Sequence, residues 1–160
     1  MKLLRADKHR FVFRLAQREK DALRDVLELY PCVPPAHHRL RHKSKPGSED
    51  EYQRLLDEAL AEQRARNKRQ VRALLDAPET FRALPQGWQF ALPCSAFTWL
   101  IQVLNDVRVG SWIALGSPEE LPHDIPANAT VARHVCAMEL AGLFQMELLK
   151  AIETTLATDS

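Results

Sequence analysis

Glycine is scarce in this chain, with 5 residues in 160. No glycine-rich run cradles a phosphate, and neither GxSxG nor HExxH occurs. The common nucleotide-binding, serine-hydrolase and zinc-protease arrangements therefore lack their residues. Cysteine is equally sparse: Cys32, Cys94 and Cys136 lie far apart with no CxxC pair. An odd number of distant thiols fits reduced cysteine in a cytoplasm. The opening MKLLRADKHR has two consecutive leucines before charge resumes, too little for a secretion signal. Long hydrophobic runs are missing as well. Residues 94–116 are the membrane-span candidate by length, yet they carry Asn105, Asp106 and Arg108 near the centre. Each charge there would cost about 2–3 kcal/mol in lipid. A buried helix of a soluble, cytoplasmic protein is expected, with no membrane partner.

What is present is ordinary for a globular protein: 46% apolar residues, 27% charged and a net charge of +1. The length suits a single domain over 1–160 whose core needs no metal or disulfide staple. Charge is unevenly spread. Residues 1–47 hold 12 Lys/Arg against 5 Asp/Glu, and residues 117–160 hold 2 against 7. Such asymmetry marks either an anion-binding end or two segments that pack side by side or stay solvated.

The patterning predicts a mainly α protein: a bundle of about four principal helices with a small two-stranded β ladder. RFVFRL (10–15) and GWQFAL (87–92) alternate apolar and polar residues and pair with each other. AQREKDALRDVLELY turns helical and stops at Pro31. Residues 31–47 form a proline-rich basic loop. Ser48 with Glu51 reads as a capping box that opens a helix over about 49–75. Pro93 and Ser95 open the apolar helix, and Gly116 closes it. Residues 116–130 are loop with a short helical turn at SPEEL, and Thr130 caps a last helix over about 131–157.

The polar residues of the apolar helix are the leading site candidate. On a wheel at about 100° per residue, with Leu100 at zero, Phe97, Leu104, Val107, Ser111, Ala114 and Leu115 cluster within about 60°. Arg108 falls at about 80°, inside the apolar arc, while Asn105 and Asp106 lie on the narrower polar side. A buried arginine needs a partner. The last helix offers Glu139, beside a main stripe of Val131, Val135, Met138, Gly142, Met146, Leu149 and Leu156. An Arg108–Glu139 ion pair is therefore expected, with Gly142 letting the two helices approach. The 49–75 helix has apolar ends, Tyr52, Leu55, Leu56, Ala59 and Leu60, then Val71 and Leu74. The same stripe carries Gln63, Arg66, Asn67 and Gln70 between them. That middle section either leaves the core or lies over something polar, with Arg66 on Asp106 and Asn67 or Gln70 on Asn105. Such a cluster is either a structural hydrogen-bond network or a ligand site.

Other chemistry has thinner support. His37, His38 and His42 follow Cys32, and His38-x3-His42 would suit a metal on a helix, but the segment is proline-rich and without carboxylates. No metal and no cofactor are expected. Arg39, Arg41, Lys43 and Lys45, with the basic run 64–72, could contact phosphates of a nucleic acid. In that run Arg64, Lys68, Arg69 and Arg72 are expected to point away from the stripe. Cys94 at a helix start and His134 in the last helix are the remnants of a thiol enzyme, more often packing residues. No catalytic residue is assigned.

The run Trp99-Leu100, Leu104-Asn105-Asp106-Val107-Arg108 and then Gly116 resembles the signature WL…LNDLRL…LG of an uncharacterised bacterial family. That family is a domain of unknown function best represented in actinobacteria. EYQRLLDEAL also resembles that family's EFR.L…L segment, and the order of segments fits over most of the chain. Val109 replaces the usual leucine, and Trp112 and Ile113 precede the glycine. The family's genes are often found beside the ClpS protease-adaptor gene. The resemblance thus implies a helper or adaptor role in proteolysis or sulfur metabolism, with Asn105, Asp106 and Arg108 as site.

Taken together, these residues lead to a non-enzymatic binding or adaptor protein with a protein partner, its site formed by Asn105, Asp106, Arg108, Arg66 and Asn67. The alternatives are a nucleic-acid-associated protein using residues 37–45 and 64–72, and then a small-molecule or metal enzyme. Both apolar helices are hydrophobic beyond one stripe: Val109, Trp112 and Ile113 on one, Leu140 and Phe144 on the other. These second faces pack either on neighbouring helices or on a second subunit in a homodimer.

Overall fold

The computed structural model describes residues 1–35, 48–121, 124 and 126–158. The chain runs β1 (Lys2–Ala6), β2 (Arg10–Leu15), α1 (Gln17–Glu28), α2 (Ser48–Asp76), β3 (Phe81–Leu84), β4 (Gly87–Pro93), α3 (Cys94–Ala114) and α4 (Ala129–Thr158). It is mostly helical, as its periodicity predicts. The sheet, however, has four antiparallel strands in the order β1-β2-β4-β3, not two. The expected pair forms its centre, with Phe13 opposite Phe90 and Phe11 opposite Leu92. The two added strands are the edges, and each conceals its period. A register shift between Leu3 and Arg5 breaks the alternation of β1. β3 has only four residues, FRAL. Short, irregular edges are how sheets avoid pairing with other chains.

One face of the sheet carries Phe11, Phe13, Leu15, Phe90 and Leu92, all buried. Against it pack Leu23, Val26 and Leu27 of α1, Leu100, Val103, Leu104 and Val107 of α3, and Ala141, Phe144 and Leu148 of α4, in one apolar cluster. α2 joins that cluster only near its end, through Val71 and Leu74. Its first half stands in solvent, with Tyr52 67% and Leu55 51% exposed. No helix among the described residues is long and apolar enough to cross a membrane.

Local signals worked at some helix ends and failed at others. Gly116 ends α3 as expected: at φ +83° it lets its N–H reach the Ile113 carbonyl (2.9 Å) and the Ser117 N–H reach Trp112 (3.0 Å). Those two bonds satisfy carbonyls the helix end would leave open. SPEEL, by contrast, is not helical. Asn128 caps α4 in place of Thr130, its Oδ1 accepting the N–H groups of Thr130 (3.0 Å) and Val131 (3.1 Å). α3 starts at Cys94 with no side-chain cap.

The largest correction concerns α4. Its core face is Ala137, Ala141, Phe144, Leu148 and Ala151. Of the stripe expected to be core, Val135 is buried, Val131, Met138 and Gly142 are half-buried, and Met146 (44%) and Leu149 (50%) look outward. A helix that is apolar almost all round gives no single stripe, so periodicity could not choose. The alanines won because they allow close packing on α3, the most extensive helix–helix contact of the fold.

Candidate functional site

The Asn-Asp-x-Arg run of α3 divides between two places. Asp106 is half-buried and holds the turn that follows α1. Its Oδ1 accepts the backbone N–H groups of Cys32 (2.5 Å) and Val33 (3.2 Å). Other groups fix the same turn. Arg64 donates to the Val33 carbonyl at 2.9 Å, so it does not point away as its position on the wheel suggests. Asn67, buried, donates to the Tyr30 hydroxyl at 3.4 Å. Ser111 is fully buried, with its Oγ 3.8 Å from the Cys32 thiol and 3.3 Å from His134 Nδ1. Gly110 makes the contact possible, because a Cβ there would lie 2.6 Å from both the Cys32 Cβ and the Val33 nitrogen. The Tyr30–Pro31 peptide of this turn is cis.

The polar middle of α2 therefore does lie over something polar. That something is the turn of residues 30–33, through the Tyr30 hydroxyl and the Val33 carbonyl, together with Gln102 of α3, not the side chains of Asn105 and Asp106. Arg66 is exposed and makes no ion pair with Asp106. Asn105 is exposed. Gln63 meets Gln102 at 3.1 Å on the outer edge of the α2–α3 contact. Every polar group of this joint has a partner, and no buried side-chain nitrogen or oxygen among the described residues is left without one. The joint is the hydrogen-bonded network of the two readings. Its thiol is also unsuited to nucleophilic work. Burial pushes the Cys32 thiol above its ordinary value; the Ser111 bond opposes this and the Asp106 charge adds to it, so the protonated form persists.

Arg108 lies elsewhere. Arg108 and Glu139 are both exposed, and no ion pair joins them among the described residues. The expected buried pair is therefore absent. The wheel placed Arg108 inside the apolar arc, but the buried arc extends to Val103 and Ala96 on the other side of Leu100 and leaves Arg108 outside it. Gly142 does not bring backbones together either; the atom nearest to a Cβ at that position would be the Arg108 Cδ, at an ordinary contact distance of 3.7 Å. Arg108 and Glu139 instead border an open groove of about 730 Å³, lined also by Val109, Trp112, Met138, Gly142, Leu143 and Met146. Trp112 is 39% and Leu143 50% exposed there. The site expected from five residues is thus split into an internal joint (Asp106, Asn67), a groove margin (Arg108) and solvated positions (Asn105, Arg66).

The sequence reading missed Tyr30, Cys32, Gly110, Ser111 and His134 as a group. A glycine inside an apolar helix was the available signal, since it marks close approach of another backbone. Arg39, Arg41, Lys43 and Lys45, with His37, His38 and His42, lie outside the described residues. Cys94 donates its thiol to the Asp7 carbonyl at 3.5 Å, and His134 is engaged with Ser111. Among the described residues, no three His, Cys, Asp or Glu side chains gather as a metal site would require. The outer face of the sheet is basic: Lys2, Arg5, Arg10, Arg14 and Arg82 are exposed. The four strands contain no carboxylate at all.

Comparison with known proteins finds no family model, no curated protein and no solved structure that matches this chain.

Proposed function

We propose that this chain is a non-enzymatic binding protein that works by holding a protein partner on the groove between α3 and α4. One observation carries the reading: large apolar side chains line a surface groove that also bears one cation and one anion. A solvated helix normally turns polar residues outward, and contiguous apolar surface rimmed by charge is characteristic of a protein interface. The setting in regulated proteolysis, as an adaptor in a bacterial cytoplasm, follows from the family resemblance of the Asn105-Asp106-x-Arg108 run. The test is a nuclease-treated pull-down from native lysate with wild type and Met146→Glu. A partner retained by the first and lost by the second supports the reading; identical captures overturn it.

A second reading has its own observation. Five exposed cations on a sheet face free of carboxylates suit the phosphate backbone of a nucleic acid. Asp7, just after β1, is already paired with Arg5 at 3.3 Å. Binding to single-stranded RNA that falls steeply with salt, and that weakens in Arg14→Glu, supports this alternative. No binding at low salt removes it.

A further inference from the structure

We infer that the occupant of the α3–α4 groove is a second copy of this chain, in a two-fold dimer that pairs Arg108 with Glu139 of the partner subunit. The inference rests on the protein-binding reading above and names its partner.

Three observations converge. First, α4 is built with two apolar faces. The inner one is satisfied by the core. The outer one presents Leu143, Met146 and Leu149, each 44–50% exposed. With Trp112 of α3, these account for four of the seven large apolar side chains that stand exposed among the described residues. Second, the groove lining contains two charges of opposite sign, Arg108 and Glu139. Neither forms an ion pair among the described residues, whereas the neighbouring Lys150 and Glu147 do so at 3.1 Å. Third, the patch is electrically self-complementary. A two-fold axis lays a surface against itself, so each residue i that meets j is matched by j meeting i. Such a surface must carry balanced charge, and one arginine with one glutamate at its margin meets that condition twice. A groove for an acidic or a basic peptide would be lined by one sign. The arginine stem already lies against Gly142 of α4, at the edge of that patch.

The experiment is light scattering and sedimentation of the whole chain over a concentration series. Wild type is expected at twice the 18.3 kDa of one chain. Arg108→Glu and Glu139→Arg, each alone, place like charges opposite each other twice, and dimerisation should weaken about tenfold or more. An equimolar mixture of the two variants restores one arginine–glutamate pair on each side of the axis, so it should dimerise again. That rescue cannot come from a pair inside one chain. Both substitutions sit at exposed positions, and unchanged circular dichroism with cooperative melting confirms folding. A dimer indifferent to both reversals, or a mixture that stays monomeric, overturns the proposal. A wild-type chain that is monomeric throughout also overturns it; if the Met146→Glu pull-down still loses a partner, the protein-binding reading survives with a different occupant. If that capture is unchanged as well, both readings fall.

Discussion

Asp106 and Arg108 stand two residues apart on the same helix and meet opposite environments. Asp106 turns inward and is anchored to the backbone of residues 32 and 33. Arg108 turns outward to the margin of an apolar groove and forms no ion pair among the described residues. The two lie about 200° apart on the wheel, so an apparent motif in the sequence need not be one site in space. The inward residue answers to the fold's own hydrogen-bond requirements. The outward one is left over, and that makes it the better guide to function.

The inner side of this comparison should break hardest at Gly110. Gly110→Val forces a side chain into the Cys32 and Val33 backbone and should cost about 3 kcal/mol in denaturant unfolding. Asp106→Ala comes next, at about 2 kcal/mol, because it strands two backbone N–H groups; Asp106→Asn, which keeps an acceptor, should lose roughly half as much. Tyr30→Phe removes the partner of buried Asn67 and should cost about 1 kcal/mol.

The joint also carries a pH signature. Burial raises both the Cys32 thiol and the Tyr30 phenol above their ordinary values of 9.0 and 10.0. The fold therefore keeps protons that the unfolded chain gives up first. Stability from these groups is complete below about pH 9 and declines as pH rises beyond it. Unfolding curves at pH 8 and 10 should show this decline, and Cys32→Ser with Tyr30→Phe should flatten it. The smallest effect belongs to the outer side. Arg108→Ala should change the stability of the fold by less than about 0.5 kcal/mol at low protein concentration. A loss as large as that of Asp106→Ala would place Arg108 in the core network and erase the contrast.

Much of the architecture could be read from the residues. The central strands alternate phenylalanines and leucines with arginine and glutamine, which suits a sheet with one buried face. The helix pattern placed all four helices within a few residues of their observed ends. The edge strands were hidden because a register shift and a four-residue length leave no period to detect. The candidate site was half legible. Asp106 and Asn67 are indeed engaged partners, but each bonds to the 30–33 turn and not to the other helix. The partners of Asp106 are backbone N–H groups, which have no residue identity, so a reading built on side-chain types could not propose them; the partner of Asn67, the Tyr30 hydroxyl, sits in a turn that the helix pattern does not place.

Composition and periodicity by themselves determined a mostly helical protein with a phenylalanine-centred sheet, an apolar α3 and an α4 too hydrophobic to have one face. Which face of α4 would be covered was left to the tertiary structure. The choice fell to the alanines of residues 137, 141 and 151, because small side chains let α3 and the core come close, and close packing gains more contact than bulk alone. That choice displaced methionine and leucine to the surface and left Arg108 and Glu139 beside them. Periodicity reports how many faces a helix could bury; only the packing of its neighbours decides which one it does.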